Sequence, residues 1–142
     1  MVKKTFFAVI CFIGLIIFVS TLHAQGSKKT ITLPGGEVVC DLNGEWDVLV
    51  ENYGGWATYG SYPQIWKITQ TGSSFVAVRM INDKWNSKGS EAVRGELDKS
   101  GFKNVQINTG YGLRDAKGQI SDDGNKMEID APDRAKLKAT RK

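Results

Sequence analysis

The chain predicts an all-β fold: a single up-and-down antiparallel β-barrel of about eight strands, preceded by a signal-peptide helix. Three observations carry the prediction. From Gly35 onward, short runs of alternating apolar and polar residues are separated by turn residues, and no long stretch repeats at helical spacing. The 16 glycines far outnumber the 3 prolines, which suits a chain of many tight turns between paired strands. The first strong alternation opens with Asp41-Leu42-Asn43-Gly44-Glu45-Trp46, which sets a large indole at the head of an apolar row.

The order of segments starts with a leader. Lys3 and Lys4 form a basic start, Phe6 to Val19 an apolar run broken only by Gly14, and Leu22-His23-Ala24 offers a small residue for cleavage. Cleavage is expected after Ala24, which makes the protein periplasmic or secreted. The other reading is a retained anchor, since Thr5 to Leu22 approaches the ~20 apolar residues that span a bilayer. The membrane is a partner only in that case. Cys11 does not sit in a lipoprotein cleavage box. The expected organisation is residues 1–24 as signal peptide, 25–35 as an N-terminal linker and 36–142 as one barrel domain.

Composition then removes whole classes of mechanism. Loss of Lys3 and Lys4 lowers the formal charge from +4 to +2, which is no nucleic-acid balance without a clustered basic face. Arg134 to Lys142 is the one dense basic run, and it reads as a solvated strand edge. Once the leader is gone, so is His23, the single histidine, and Cys40 is the remaining thiol. Nucleophilic or zinc chemistry that needs a histidine has no partner here. No catalytic residue, metal or cofactor is expected. Cys40 is either a small buried apolar residue or a linker between chains, and Val38-Val39-Cys40 reads as strand.

The expected strands are Glu37 to Cys40, Glu45 to Glu51, Gln64 to Gln70, Phe75 to Ile81, Ala92 to Leu97, Lys103 to Asn108, Lys117 to Ser121, Lys126 to Asp130 and Lys136 to Arg141. Thr71-Gly72-Ser73-Ser74, Lys99-Ser100-Gly101 and Asp122-Asp123-Gly124-Asn125 lie between alternating runs and read as hairpin turns. Closure into a barrel is the complete solution to the exposed edges of such a meander.

Alternation assigns the faces. Trp46, Val48 and Val50 point inward, as do Trp66, Ile68 and Gln70, Val105 and Ile107, Met127 and Ile129, and Leu137, Ala139 and Arg141. Phe75 to Ile81 offers two faces. If Val76, Val78 and Met80 face in, the interior is dry; if Phe75, Ala77, Arg79 and Ile81 do, Arg79 is a buried cation awaiting an anionic head group. Burying a lone charge is costly, so the dry face is expected. Arg94 and Glu96 are expected to face water.

Cys40-Asp41-Leu42-Asn43-Gly44-Glu45-Trp46-Asp47 resembles the first-strand signature of the calycin superfamily, meaning lipocalins, avidins and their small bacterial lipocalin-like relatives. The resemblance covers Val38 to Arg141 by strand pattern and the opening strand by motif. It implies that Gly44 bends the chain into the barrel, that Trp46 plugs the closed end, and that a late cation covers the indole. Arg141 and Lys138 are the candidates, and alternation selects Arg141. The later signature segments of full-length lipocalins and the biotin-ring residues of avidins are missing, so neither ligand carries over.

The segment Asn52 to Pro63 follows the first strand and carries Tyr53, Trp56, Tyr59 and Tyr62 among glycines. Rings on a flexible backbone suit a lid or contact surface, and they equally suit extra core at the barrel top. Asp83 to Gly89, with Trp85, is a second candidate for the same rim. Asp122, Asp123, Asn125 and Glu128 do not match a calcium-loop spacing.

Three functions are consistent with these features. One is an exported binder of a small apolar or amphipathic molecule, contacted by Tyr53, Trp56, Tyr59, Tyr62, Trp66 and Met80. The second is a non-enzymatic protein or envelope interaction module on a filled barrel. The third is a carboxylate-only hydrolase using Asp47, Glu51 and Glu96.

Overall fold

A computed structural model describes residues 28–142. The expected leader and its cleavage site lie outside the described residues. The described residues form eleven strands, β1 (Thr30–Thr32), β2 (Val38–Cys40), β3 (Gly44–Asn52), β4 (Ser61–Thr71), β5 (Ser74–Arg79), β6 (Glu91–Asp98), β7 (Gly101–Thr109), β8 (Gly112–Asp115), β9 (Lys117–Ile120), β10 (Lys126–Ala131) and β11 (Ala135–Arg141), with one 3₁₀ turn at Gly54–Tyr59. β1 and β2 form a separate hairpin, so the stretch read as a linker carries a strand. The other nine strands form one antiparallel sheet in the order β8-β7-β6-β5-β4-β3-β11-β10-β9.

The two edges of that sheet, β8 and β9, are consecutive in the chain and joined through Ala116. Ala116 N–H donates to the Val105 carbonyl at 2.9 Å, the last bond to β7 before the strand turns to pair with β10. The nine segments therefore act as eight staves of a nearly closed up-and-down barrel. Beyond Ala116, β9 and the start of β7 meet through side chains: the Phe102 ring lies against Gly118, where a Cβ would stand 2.7 Å from the ring. Glycine is required there by that close approach.

The lower half of the barrel is solid. Trp46, Trp66, Phe75, Ile68, Val93 and Ile129 are fully buried, with Leu42 sealing the end beneath them. Trp46 Nε1–H donates to the Leu42 carbonyl at 3.0 Å, which satisfies its polar edge in an apolar setting. Gly44 sits at φ +124°, a conformation that favours glycine and lets the chain turn from the β2 segment into β3. The Arg141 guanidinium lies 4.5 Å over the Trp46 ring, and its Nη1 donates to the Asn43 carbonyl at 2.9 Å. Its Nη2 donates to the carbonyls of Asp41 and Gly124, tying β11 to the entry of β3 and to the β9–β10 turn.

One expected facing is reversed. Phe75, Ala77 and Arg79 point inward, whereas Val76 is exposed and Val78 and Met80 are half-buried. The cause is register. Thr71 pairs with Ser74 across a two-residue turn, which sets Phe75 opposite Gln70, Ala77 opposite Ile68 and Arg79 opposite Trp66. Directly opposed residues share a face, so the inward row of β4 forces its partners inward.

Candidate functional site

The upper half of the barrel is hollow. A cavity of about 430 Å³ opens at the end away from Trp46, lined from the ends of β3, β5 and β7, the starts of β4, β6 and β11, β8 and the loops between these strands. Val50, Ala92, Ile107 and Leu137 supply apolar wall. Gln64, one inward step above the buried Trp66 on β4, and Arg79, opposite Trp66 on β5, line its floor. Trp66 Nε1–H donates to Gln64 Oε1 at 2.6 Å, and Gln64 Nε2 donates in turn to Asp83. That chain fixes the amide and closes the apolar floor from above.

The 3₁₀ turn holds an aromatic rim over the opening. Tyr53 N–H donates to the Arg134 carbonyl at 2.8 Å and its hydroxyl to Asp130 at 2.6 Å, while Asn52 Nδ2 donates to the Gly60 carbonyl at 2.7 Å. So anchored, the segment sets Trp56 and Tyr59 edge to face at 6.2 Å, and Tyr59 stands edge to face with Trp85 at 4.9 Å. Trp85 is held from its own loop, because Asp83 Oδ1 accepts from the N–H groups of Trp85 (2.7 Å) and Asn86 (2.8 Å). Arg134 covers Trp56 at 5.1 Å. Tyr111, 79% exposed at the β7–β8 turn, completes the rim with Arg114.

Of the residues read as ligand contacts, Trp56, Tyr59 and Tyr62 line this cavity together. Trp66 lies fully buried beneath the floor, Tyr53 anchors the rim loop to β10, and Met80 sits past the end of β5 with its N–H bonded to the Ile65 carbonyl. Met80 was placed in the interior by the facing that the β4–β5 register reverses. Arg79, weighed as a buried cation awaiting an anionic head group and passed over for the dry face, lines the cavity, as do Asn52, Asn108, Arg114 and Arg134, which were not singled out as contacts. For Arg79 the signal was present in the two-residue turn; for Asn52 and Asn108 at strand ends, Arg114 in the short edge strand β8 and Arg134 in a turn, no local periodicity marked them. Asp47 and Glu51 lie on the outer face of β3 within reach of Lys142 and Lys138, and Glu96 is exposed on β6.

Electrostatics distinguish the cavity from the core below. Burial pushes the Arg79 guanidinium below its ordinary pKa, opposed by the charges of Asp83, Tyr62 and Glu91. Burial pushes the Tyr62 phenol up, Asp83 adds to that, and Arg79 acts against it. Those mutual influences place Tyr62, Arg79 and Asp83 in one neighbourhood.

Fold and cavity together define a small antiparallel barrel with one end sealed by an arginine-capped tryptophan and the other opening through an aromatic rim. No protein-family model matches the chain, and neither a curated protein nor a solved structure shows significant similarity to it.

Proposed function

We propose that this protein is an exported, non-enzymatic, lipocalin-like binding protein that holds a small apolar or amphipathic molecule in the upper half of its barrel. The observation that carries the reading is the 430 Å³ cavity, a volume in the range of ordinary small-molecule sites, with apolar walls and a few placed polar groups. The Gly44–Trp46–Arg141 arrangement at the sealed end supports calycin kinship by the same motif that suggested it. The basic start, apolar run and Ala24 of the leader support delivery to the periplasm or beyond.

Native mass spectrometry of the protein purified from its own host's envelope fraction tests the proposal. A co-purifying small molecule is the expected result. A clean apo protein whose melting temperature does not move across a panel of lipids and pigments overturns it. The second reading, a surface interaction module, draws on exposed Tyr59, Trp85 and Tyr111 around the mouth. Pull-down of an envelope protein, lost on substitution of those three, would favour it.

A further inference from the structure

We propose that the ligand carries a carboxylate and enters acid first, so that its head group lies against Arg79 while its apolar body fills the cavity under the aromatic rim. The inference rests on the binding reading above and specifies the chemistry of the molecule bound.

Arg79 is 6% exposed and lines the cavity from the end of β5. Its hydrogen bonds go to neutral groups: Nη1 donates to Ser90 Oγ at 3.1 Å and to the Glu91 carbonyl, and Nη2 to the Asn108 carbonyl at 2.8 Å. A guanidinium has five N–H donors, so the Nε–H and one Nη2 hydrogen have no partner among the described residues. The charge is also uncompensated at short range. Among the described residues, every ion pair within 4 Å involves another cation.

The two carboxylates whose charges act on Arg79 are engaged elsewhere. Glu91 takes Arg94 in a two-point pair, and Asp83 accepts from Gln64 and from the backbone of its own turn. Neither lines the cavity, whose lining carries Arg79, Arg114 and Arg134 and no Asp or Glu. A buried cation without a directly paired carboxylate is costly to fold around. A ligand carboxylate in the cavity supplies that counter-charge in the geometry a guanidinium binds best. Tyr62 lines the same cavity and offers it a phenolic donor.

The test is a matched set of probes on the full chain: naphthylacetate, naphthylacetamide and naphthylethylammonium, followed by tryptophan fluorescence and calorimetry. The acid is expected to bind at least about tenfold tighter than its amide, and the ammonium to bind weakest. Arg79→Met should abolish the preference for the acid while changing amide affinity less than about twofold; Arg79→Lys should restore part of it. If acid and amide bind wild type equally, the head-group assignment falls and the cavity reading stands. The assignment also falls if Arg79→Met keeps the preference and Arg114→Met or Arg134→Met removes it, since the anion then sits at the rim. If none of the three probes, nor decanol, binds wild type, the cavity reading falls with it. Should Arg79→Met fail to fold, the wild-type comparison and Arg79→Lys decide.

Discussion

Replacing Arg141 with methionine keeps most of the side-chain volume and removes the charge that roofs Trp46. Two contributions are lost. The guanidinium sits 4.5 Å over the indole, a contact that contributes about 1 kcal/mol when partly desolvated. Its hydrogen bonds to the carbonyls of Asn43, Asp41 and Gly124 join three segments that otherwise meet only at the barrel's end. Because the site is half-exposed, water replaces part of these bonds, and together they contribute about 2 kcal/mol rather than the full charged-bond figure. The expected loss is about 3 kcal/mol, which lowers Tm by roughly 10 °C and the urea midpoint by about 2 M for a domain of this size. Arg141→Lys keeps a cation over the ring but not the fork, and should recover about 1 kcal/mol. Urea unfolding followed by tryptophan fluorescence reads both variants. If Arg141→Met lies within about 0.5 kcal/mol of wild type, the cap is ornamental and the argument for the sealed end is refuted.

Gly118→Val drives two methyl groups toward the Phe102 ring across the barrel's weakest seam, and should cost about 1–3 kcal/mol in the same assay; an unchanged midpoint would show that the seam is open. Burial raises the Cys40 thiol pKa, so the native thiol should resist iodoacetamide at pH 8 and react fully once urea unfolds the chain. The same shift makes the folded state hold its proton longer than the unfolded chain. Stability therefore declines as pH rises above the unfolded thiol value of about 8.5, a decline that Cys40→Ala should lack in pH-dependent melts. The Asp98 carboxyl is held down to about 2 by Lys103 and then by Ser100, so its NMR titration should have its midpoint near that pH and move upward in Lys103→Met. Its contribution to stability is present above the unfolded carboxylate value and fades as pH falls toward 2.

The strands that alternate strongly were legible because one buried face and one wet face leave a period of two in the sequence: Trp46-Val48-Val50 in β3 and Met127-Ile129 in β10 are buried as their spacing requires. β8 was not legible. Gly112-Leu113-Arg114-Asp115 has an exposed leucine and a half-buried arginine, and it is a strand only because β7 pairs with it and Ala116 carries the chain on to β10. β1 was hidden in the same way, since Thr30-Ile31-Thr32 becomes a strand through its register with Val38–Cys40. Pairing at short edges depends on contacts distant in sequence, and local pattern does not encode them.

Arg79 is a different case, because its position is encoded in the chain by the turn and not by the composition of its strand. Composition favoured the face with two valines and a methionine, and the cost of a buried charge reinforced that choice. The two-residue turn Gly72-Ser73 is the stronger constraint: it pairs Thr71 with Ser74, and counting outward brings Arg79 opposite Trp66. Once β4 is known to turn Trp66 and Ile68 inward, β5 has no freedom left. The same counting explains why the barrel is solid below and hollow above. Gln64 is an inward-facing polar side chain one step above Trp66 on β4, and Arg79, directly opposite Trp66, is the last inward side chain of β5. Neither can be immersed in an apolar layer without partners, so the packed core ends at the level of Trp66 and Arg79 and the cavity opens above it. An inward position occupied by a polar residue on two neighbouring strands thus locates the floor of a barrel's cavity from sequence, provided that the turn between them fixes the register.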